Sequence, residues 1–190
     1  MTATAALTGG FADAPVDAAH AFRAIMTVMA RPGEIRTAAQ ATPPAPLSVA
    51  AGTVILTLCD PEAGLYLAGP CDTPQVRDWV AFHTGAPIVA PDKAAFAVGR
   101  WDDLVPLDRF PTGTQEYPDR STTLIVECDA LQADGAVLRG PGIKDTARLN
   151  LPDIATFADN HRLYPLGLDF IFAAGTEVAA LPRSTAVTEG

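Results

Sequence analysis

The tripeptide Arg-Ser-Thr occurs twice, as Arg120-Ser121-Thr122 and as Arg183-Ser184-Thr185. A guanidinium group offers a fork of N–H donors and a serine hydroxyl adds another, which suits the oxygens of a phosphate or phosphonate group. These arginines and serines are candidate anion-binding residues: Arg120, Ser121, Arg183 and Ser184. The alternative is chance, because eleven of the 13 basic residues are arginines and the chain holds 35 alanines, a composition that codon bias would produce.

A second candidate is the loop Gly140-Pro141-Gly142-Ile143-Lys144-Asp145-Thr146, which has the residue types of a phosphate-binding loop without its spacing. A P-loop places Gly directly before the lysine and Ser or Thr directly after it, so that amine and hydroxyl reach phosphate and magnesium together. Here Ile143 and Asp145 occupy those places. Asp145 also stands where a dinucleotide-binding turn needs its third glycine. We therefore predict a turn that leaves a strand at residues 137–139, with an anion nest as the alternative.

Other catalytic arrangements find little support in the sequence. No two histidines are four residues apart and neither a CxxC nor an HExxH motif occurs, so no metal site is expected. His83, near the end of a predicted helix, is a candidate functional or interface residue, although a capping role is the simpler interpretation. No serine lies in a G-x-S-x-G elbow, and neither Lys93 nor Lys144 has a phosphate-binding sequence around it. No catalytic residue is assigned, and we expect no cofactor in this chain.

The composition favours one acidic domain. The 190 residues are 48% hydrophobic, enough for a single core without a metal or crosslink. Acidic residues outnumber basic ones 22 to 13, and the net charge of −9 argues against a broad surface for DNA or RNA. The three cysteines are odd in number and widely spaced, which favours a reducing compartment and buried or partly buried thiols.

No membrane segment is predicted. The longest uncharged stretch, residues 37–59, is interrupted by three prolines, and its continuous part is shorter than the roughly 20 residues of a spanning helix. The first 22 residues contain no lysine or arginine and no continuous apolar run, so a secretory signal is not expected. These observations favour a cytoplasmic protein.

Hydrophobic periodicity predicts four helices, at residues 17–30, residues 47–58, between Thr73 and Gly85, and at residues 153–161. The first has apolar side chains at i, i+3, i+4 and i+7, the spacing of one helical face: Phe22, Ile25, Met26 and Met29. The second is apolar throughout and should be buried. In the third, Thr73 is a predicted N-cap, Pro74 fits the first helical position, and Gly85 ends the helix.

Short apolar runs predict the strands, at residues 65–67, 96–98, 122–128, 137–139, 168–172 and 176–181. The run at 122–128 is so apolar that it should be central, and Ala173-Ala174-Gly175 should join the last two in a hairpin. The predicted fold is α/β, with a mixed sheet covered by helices. We expect a single domain over residues 1–190, with flexible termini at 1–14 and 183–190.

Several motifs, read in order, are more specific than any one alone: Ala21-Phe22-Arg23-Ala24-Ile25-Met26, Met29-Ala30-Arg31-Pro32-Gly33, Leu56-Thr57-Leu58-Cys59-Asp60-Pro61, Phe82-His83-Thr84-Gly85, Gly140-Pro141-Gly142-Ile143, Tyr164-Pro165-Leu166-Gly167-Leu168-Asp169 and Leu181-Pro182-Arg183-Ser184-Thr185. The ordered set resembles the PhnH family, a subunit of bacterial carbon–phosphorus lyase, over residues 11–187. Ser184 departs from the threonine expected in that family and keeps the hydroxyl.

The resemblance implies a subunit of phosphonate catabolism whose fold is similar to the major domain of pyridoxal phosphate-dependent transferases, without the cofactor. It implies a homodimer that joins PhnG, PhnI and PhnJ. With PhnG, PhnI and PhnL, the family is linked to displacement of adenine from MgATP by an alkylphosphonate, giving ribose 1-alkylphosphonate 5-triphosphate. The radical step belongs to PhnJ and the nucleosidase chemistry to PhnI, so this chain's own catalytic role stays unassigned.

Two hypotheses remain from the sequence. The chain is either an accessory subunit that binds part of a nucleotide or phosphonate in a cleft, with Arg31, Arg139 or Arg183 as contacts, or a purely structural partner with no ligand site. The lack of a nucleophile, metal set or acid–base pair favours an assembly role. The net charge of −9 agrees, because its mean field would repel polyanionic substrates from a protein working alone.

Overall fold

The computed structural model describes residues 8–190. Its helices are α1 (Ala14–Ala30), α2 (Val49–Leu58), α3 (Pro74–Thr84), α4 (Trp101–Leu104) and α5 (Ile154–Arg162). Its strands are β1 (Arg36–Thr37), β2 (Leu65–Leu67), β3 (Phe96–Arg100), β4 (Thr123–Glu127), β5 (Ala136–Arg139), β6 (Ala147–Leu149), β7 (Asp169–Ala174), β8 (Glu177–Leu181) and β9 (Ala186–Thr188). The α/β class is therefore confirmed.

A six-stranded mixed sheet forms the centre, in the order β1-β8-β7-β4-β3-β2. Strands β2, β3, β4 and β7 are parallel, whereas β8 pairs antiparallel with both β7 and β1. Strand β4 lies between β3 and β7, and Leu124, Ile125 and Val126 are fully buried. Both faces of β4 are covered, which explains its unbroken apolar run and confirms its predicted central position. The predicted hairpin is also confirmed, as β7 and β8.

Helices α1, α2 and α3 cover one face of this sheet. The Ser48 hydroxyl caps α2 by accepting the N–H of Ala51 at 3.1 Å, and the Thr73 hydroxyl caps α3 in the same way. Gly85 ends α3 with a left-handed φ of 69°. The predicted caps of α3 are confirmed, and α2 is buried as expected although it begins at residue 49.

The buried face of α1 differs from the predicted one. Ala21, Ile25 and Val28 face the core, whereas Phe22 and Met26 are 48% and 54% exposed. Helix α1 packs against both α2 and β8, and the small Ala21 side chain lets it approach closely. The face is therefore rotated from the prediction, and two large apolar side chains remain on the surface.

The other face of the sheet packs against α4, α5 and a second, antiparallel sheet of order β6-β5-β9. The aromatic rings of Trp101, Phe157 and Phe170 form the centre of this layer, with Phe157 lying 4.7 Å from Trp101 and 4.8 Å from Phe170 between ring centroids. The predicted strand at 137–139 is confirmed as β5, and it belongs to this second sheet.

The predicted C-terminal tail is wrong, because the segment contains β9, which pairs with β5 and buries Val187 against Leu138. Three strand residues are too few for a periodic pattern, so the sequence carried no signal for it. Of the predicted N-terminal flexible segment, residues 1–7 lie outside the described part and Ala14 already begins α1. None of the helices within residues 8–190 is long and apolar enough to cross a membrane.

Candidate functional site

Arg183 lies at the amino end of the parallel strands and is held there by three groups. Its guanidinium pairs with both carboxylate oxygens of Asp169, with Nη2 and Oδ2 2.5 Å apart. It also donates to the Pro118 carbonyl oxygen at 2.7 Å and to the Ser121 hydroxyl. The Arg183 and Asp169 side chains are only 12% and 18% exposed. All three guanidinium nitrogens are thus engaged within the protein.

The two Arg-Ser-Thr copies therefore contact each other through Arg183 and Ser121. Because this contact uses the donors of Arg183 within the protein, it stabilises the fold and leaves little capacity to bind an anion. Arg120 points elsewhere: its guanidinium carbon lies 4.0 Å from the centroid of the exposed Tyr117 ring. Ser184 is half-buried, and Arg139 is exposed at the end of β5, opposite Ala186 of β9. Only one arginine and one serine of the predicted set come together here.

Arg31, the C-cap residue of α1, has an exposed side chain. It pairs with Glu34 at 3.4 Å, and Glu34 also pairs with Arg36 at 2.5 Å. The Arg36 hydrogen bond is the main reason why the pKa of Glu34 lies below its ordinary value. Arg31 and Arg36 line a groove between α1 and β1 together with Arg23. Neither Arg23 nor Arg36 was singled out in the sequence.

His83, in the last turn of α3, contacts the N-terminal end of the described chain. Its Nε2 lies 3.3 Å from the Thr8 carbonyl oxygen, which also accepts the Trp79 indole N–H at 3.1 Å. The ring packs at 4.8 Å from Phe82 and 5.2 Å from Trp79 between centroids. These contacts make His83 an anchor for the segment that precedes α1.

A pocket of about 510 Å³ opens at the carboxyl ends of β3 and β4. Arg100 ends β3 and Glu127 ends β4, and the pocket between them continues to Asp129, Trp101 and Asn150. Ligands of open α/β sheets bind at this edge. The sequence interpretation missed Arg100 and Glu127. Their positions near the carboxyl ends of the strands predicted at residues 96–98 and 122–128 were a usable signal, and the structure shows that these strands pair in parallel.

Glu127 is the most buried carboxyl group of this pocket. One carboxylate oxygen accepts the backbone N–H of Ser48, the N-cap of α2, at 2.7 Å. Burial raises the pKa of Glu127, and the hydrogen bonds from Ser48 and the charge of Arg100 oppose that rise. Arg100 itself donates to Asp129 at 2.6 Å. With Asp102 also lining it, the pocket holds three carboxyl groups and one arginine, which suits hydroxyl or amino groups better than phosphates.

The thiols are poor nucleophiles. Burial raises the pKa of Cys71 to about 12 and that of Cys128, which lines the pocket, to about 11. Burial likewise raises the pKa of Cys59 to about 12. Thiolates are the reactive form, and these groups stay protonated at neutral pH. The prediction of buried or partly buried thiols is confirmed. Within residues 8–190, no three His, Cys, Asp or Glu side chains form a metal-binding group.

The glycine-containing loop is the turn that was predicted, and it connects β5 to β6. Gly142 has φ +82°, and a Cβ atom there would lie 1.8 Å from the Ala30 carbonyl oxygen at the end of α1. A Cβ on Gly33 would lie 2.6 Å from that of Ala147 in β6. The motifs at residues 29–33 and 140–143 therefore lie where the C-terminal end of α1 packs closely against the second sheet and its β5–β6 turn.

These features define an α/β domain with helices α1 to α3 on one face of the sheet and helices α4 and α5 with a small second sheet on the other. A pocket lies at the carboxyl ends of the strands. The family model of the bacterial phosphonate metabolism protein PhnH matches residues 9–188. The chain belongs to that family.

Two relatives agree with this family. The chain is 43% identical over 195 residues to a Rhizobium meliloti (strain 1021) protein named alpha-D-ribose 1-methylphosphonate 5-triphosphate synthase subunit PhnH, a match that covers 97% of this chain and 98% of the relative. It is 29% identical over 194 residues to HtxG of Stutzerimonas stutzeri, named as a proposed C-P lyase subunit protein, with 93% of each chain covered.

Proposed function

We propose that this chain is an accessory subunit of a carbon–phosphorus lyase assembly in organic phosphonate catabolism, supporting formation of ribose 1-methylphosphonate 5-triphosphate from MgATP and alkylphosphonate. The observation that carries the proposal is the end-to-end match to the PhnH family and to a relative named as a subunit of that synthase. The partners are PhnG, PhnI and PhnJ, with PhnL acting in the same step, in the cytoplasm. The free chain is a homodimer with a fold like that of pyridoxal phosphate-dependent transferases.

The surface of α1 supports the assembly role. Phe22 and Met26 are one helical turn apart and both are about half exposed, so they form an apolar patch on the outer surface of α1, away from its buried residues Ala21, Ile25 and Val28. Aromatic residues and methionine are enriched where proteins meet. We assign this patch to the contact with a subunit of the assembly. The protonated thiols and the engaged Arg183 agree with a subunit that contributes no covalent chemistry of its own.

Co-purification tests both parts of the proposal. The chain is co-expressed with PhnG, PhnI and affinity-tagged PhnJ, and we expect it to elute with the tagged subunit. The double variant Phe22→Asp/Met26→Asp should elute alone, whereas Val16→Asp should still co-elute, because Val16 is equally exposed on another side of α1. A wild-type chain that elutes alone contradicts the subunit role. A double variant that still co-elutes contradicts the assigned patch only.

The second candidate is a purely structural subunit with no ligand site of its own. The acidic pocket at the carboxyl ends of β3 and β4 supports it, since three carboxyl groups there would repel MgATP and methylphosphonate. Isothermal titration of the isolated chain with each compound separates the two candidates. Heat that saturates with either compound excludes the purely structural role, and no heat with both excludes ligand binding by the free subunit.

A further inference from the structure

We propose that the groove between α1 and β1 binds the phosphate chain of a polyphosphate ligand. The groove has a volume of about 550 Å³ and is lined by Arg23, Arg31 and Arg36, with the hydroxyl-bearing Thr27 and Thr37 beside them. We call it the arginine groove. It is separate from the acidic pocket at the carboxyl ends of β3 and β4, and no residue lines both.

The spacing of the arginines fits an extended anion. Arg23, Thr27 and Arg31 follow one another at intervals of four residues and therefore lie along one face of α1 and its C-terminal end. Eight residues of helix rise by about 12 Å, enough for three linked phosphates to lie between the two guanidinium groups. Arg36 reaches the groove from β1, on the opposite wall. A phosphate chain in the groove would thus meet donors from two sides.

The charge of the arginine groove is opposite to that of the chain as a whole. No carboxyl group lines it, whereas the net charge of the sequence is −9. Glu34, at its rim, pairs with Arg31 and Arg36 through different oxygens and holds the two guanidinium groups near each other. Across residues 8–190, the Arg23 guanidinium makes no hydrogen bond or ion pair. Three guanidinium groups against one carboxylate leave a net positive site with free donors.

The chemistry of the donors favours a phosphate chain. Guanidinium forks bind phosphate oxygens in pairs. The Thr37 hydroxyl can add a single donor, whereas the Thr27 hydroxyl donates to the Arg23 carbonyl oxygen at 2.7 Å. The suggestion that the phosphate chain is a triphosphate rests on the proposed function, because the Rhizobium meliloti relative is named for a 5-triphosphate product. ATP and that product carry the same triphosphate, so the groove itself would bind either. The free tripolyphosphate ion has this phosphate chain without the rest of either molecule, so it tests the groove's binding to the chain alone.

Isothermal titration of the full chain with sodium tripolyphosphate tests the proposal. We expect saturable binding that weakens as the salt concentration rises. Each of Arg23→Ala, Arg31→Ala and Arg36→Ala should weaken it by about fivefold, the effect of one exposed charged contact, and the triple variant should abolish it. Arg77→Ala is the matched control: Arg77 is 48% exposed and paired with Asp72, much as Arg36 is 49% exposed and paired with Glu34.

Titrations with MgATP and with adenosine identify the part of the ligand that binds. MgATP should bind with the same dependence on the three arginines, and adenosine, which lacks phosphates, should give no heat through this groove. Unchanged tripolyphosphate binding by the triple variant overturns the proposal, as does the absence of binding by the folded wild-type chain. Either result leaves the subunit role untouched if the chain still co-purifies with PhnJ, so the two failures are distinguishable.

Discussion

Removing the carboxylate of Asp169 should destabilise the protein strongly, because it leaves the guanidinium of Arg183 without its counter-ion. Arg183 donates to both oxygens of Asp169, and both side chains are largely buried. A hydrogen bond to a charged group contributes about 1.5–3 kcal/mol, and a buried charge that loses its partner costs about 3–5 kcal/mol. Residual solvent access reduces this cost, so we expect Asp169→Ala to lower the free energy of unfolding by about 3 kcal/mol.

Urea denaturation followed by circular dichroism measures this loss, which corresponds to a fall in Tm of about 6–12 °C for a chain of this size. Asp159→Ala is the control, because the Asp159–Arg162 pair is 68% and 75% exposed and should change stability by less than about 0.5 kcal/mol. The double variant Asp169→Leu/Arg183→Met should recover part of the loss, since it removes both buried charges. Equal effects of Asp169→Ala and Asp159→Ala would refute the assignment of Arg183 to the fold.

Three further predictions concern the fold and the pocket. Gly142→Ala should lower the free energy of unfolding by more than about 2 kcal/mol, because the added Cβ would meet the Ala30 carbonyl oxygen. Gly175→Ala should lower it by only about 1 kcal/mol, because Gly175 has a φ of +56° but open space around it. Thermal melts of both variants check this difference. Asn160→Ala should lower the free energy of unfolding by about 2–4 kcal/mol, because the buried Asn160 amide donates to the Leu168 carbonyl oxygen and accepts the Leu168 N–H just before β7. Urea denaturation measures this loss, and a loss below about 1 kcal/mol, the contribution of one ordinary hydrogen bond, would contradict the prediction. Burial raises the pKa of Glu127 above its ordinary 4.5, so its stabilising contribution is complete below that pH and declines as the pH rises above it. The stability of wild type relative to Glu127→Gln should therefore fall as the pH rises above 4.5, and a constant difference in urea denaturation would contradict it.

Local signals predicted the elements that depend on local chemistry. Thr73 and Gly85 mark the two ends of α3 because a side-chain cap and a left-handed glycine act within a few residues. Strand β4 was recognisable as central because a strand covered on both faces needs an unbroken apolar run.

Features set by distant contacts were not predictable from the sequence. The buried face of α1 is chosen by how closely Ala21 and Val28 approach α2 and β8, and apolar spacing alone pointed to Phe22 and Met26. Strand β9 exists because β5 offers it an edge, and its three residues have no recognisable period. Likewise, Arg36 shares a groove with Arg23 because β1 pairs with β8, against which α1 also packs.

An arginine can stabilise the fold or bind a ligand, and the sequence could not distinguish these two roles. In the structure they differ in how many guanidinium N–H donors are free of protein partners. Arg183 lies in one of the ordered motifs by which the sequence resembles the family, yet Asp169, Ser121 and Pro118 engage its guanidinium nitrogens, so its replacement would first lower the stability of the fold. Arg23 has no partner in the described chain and faces an open groove, so its replacement should leave the fold intact and change binding alone. A subunit with a net charge of −9 can hold a polyanion only where guanidinium groups outnumber carboxylates. In the groove between α1 and β1, three arginines stand against the single carboxylate of Glu34.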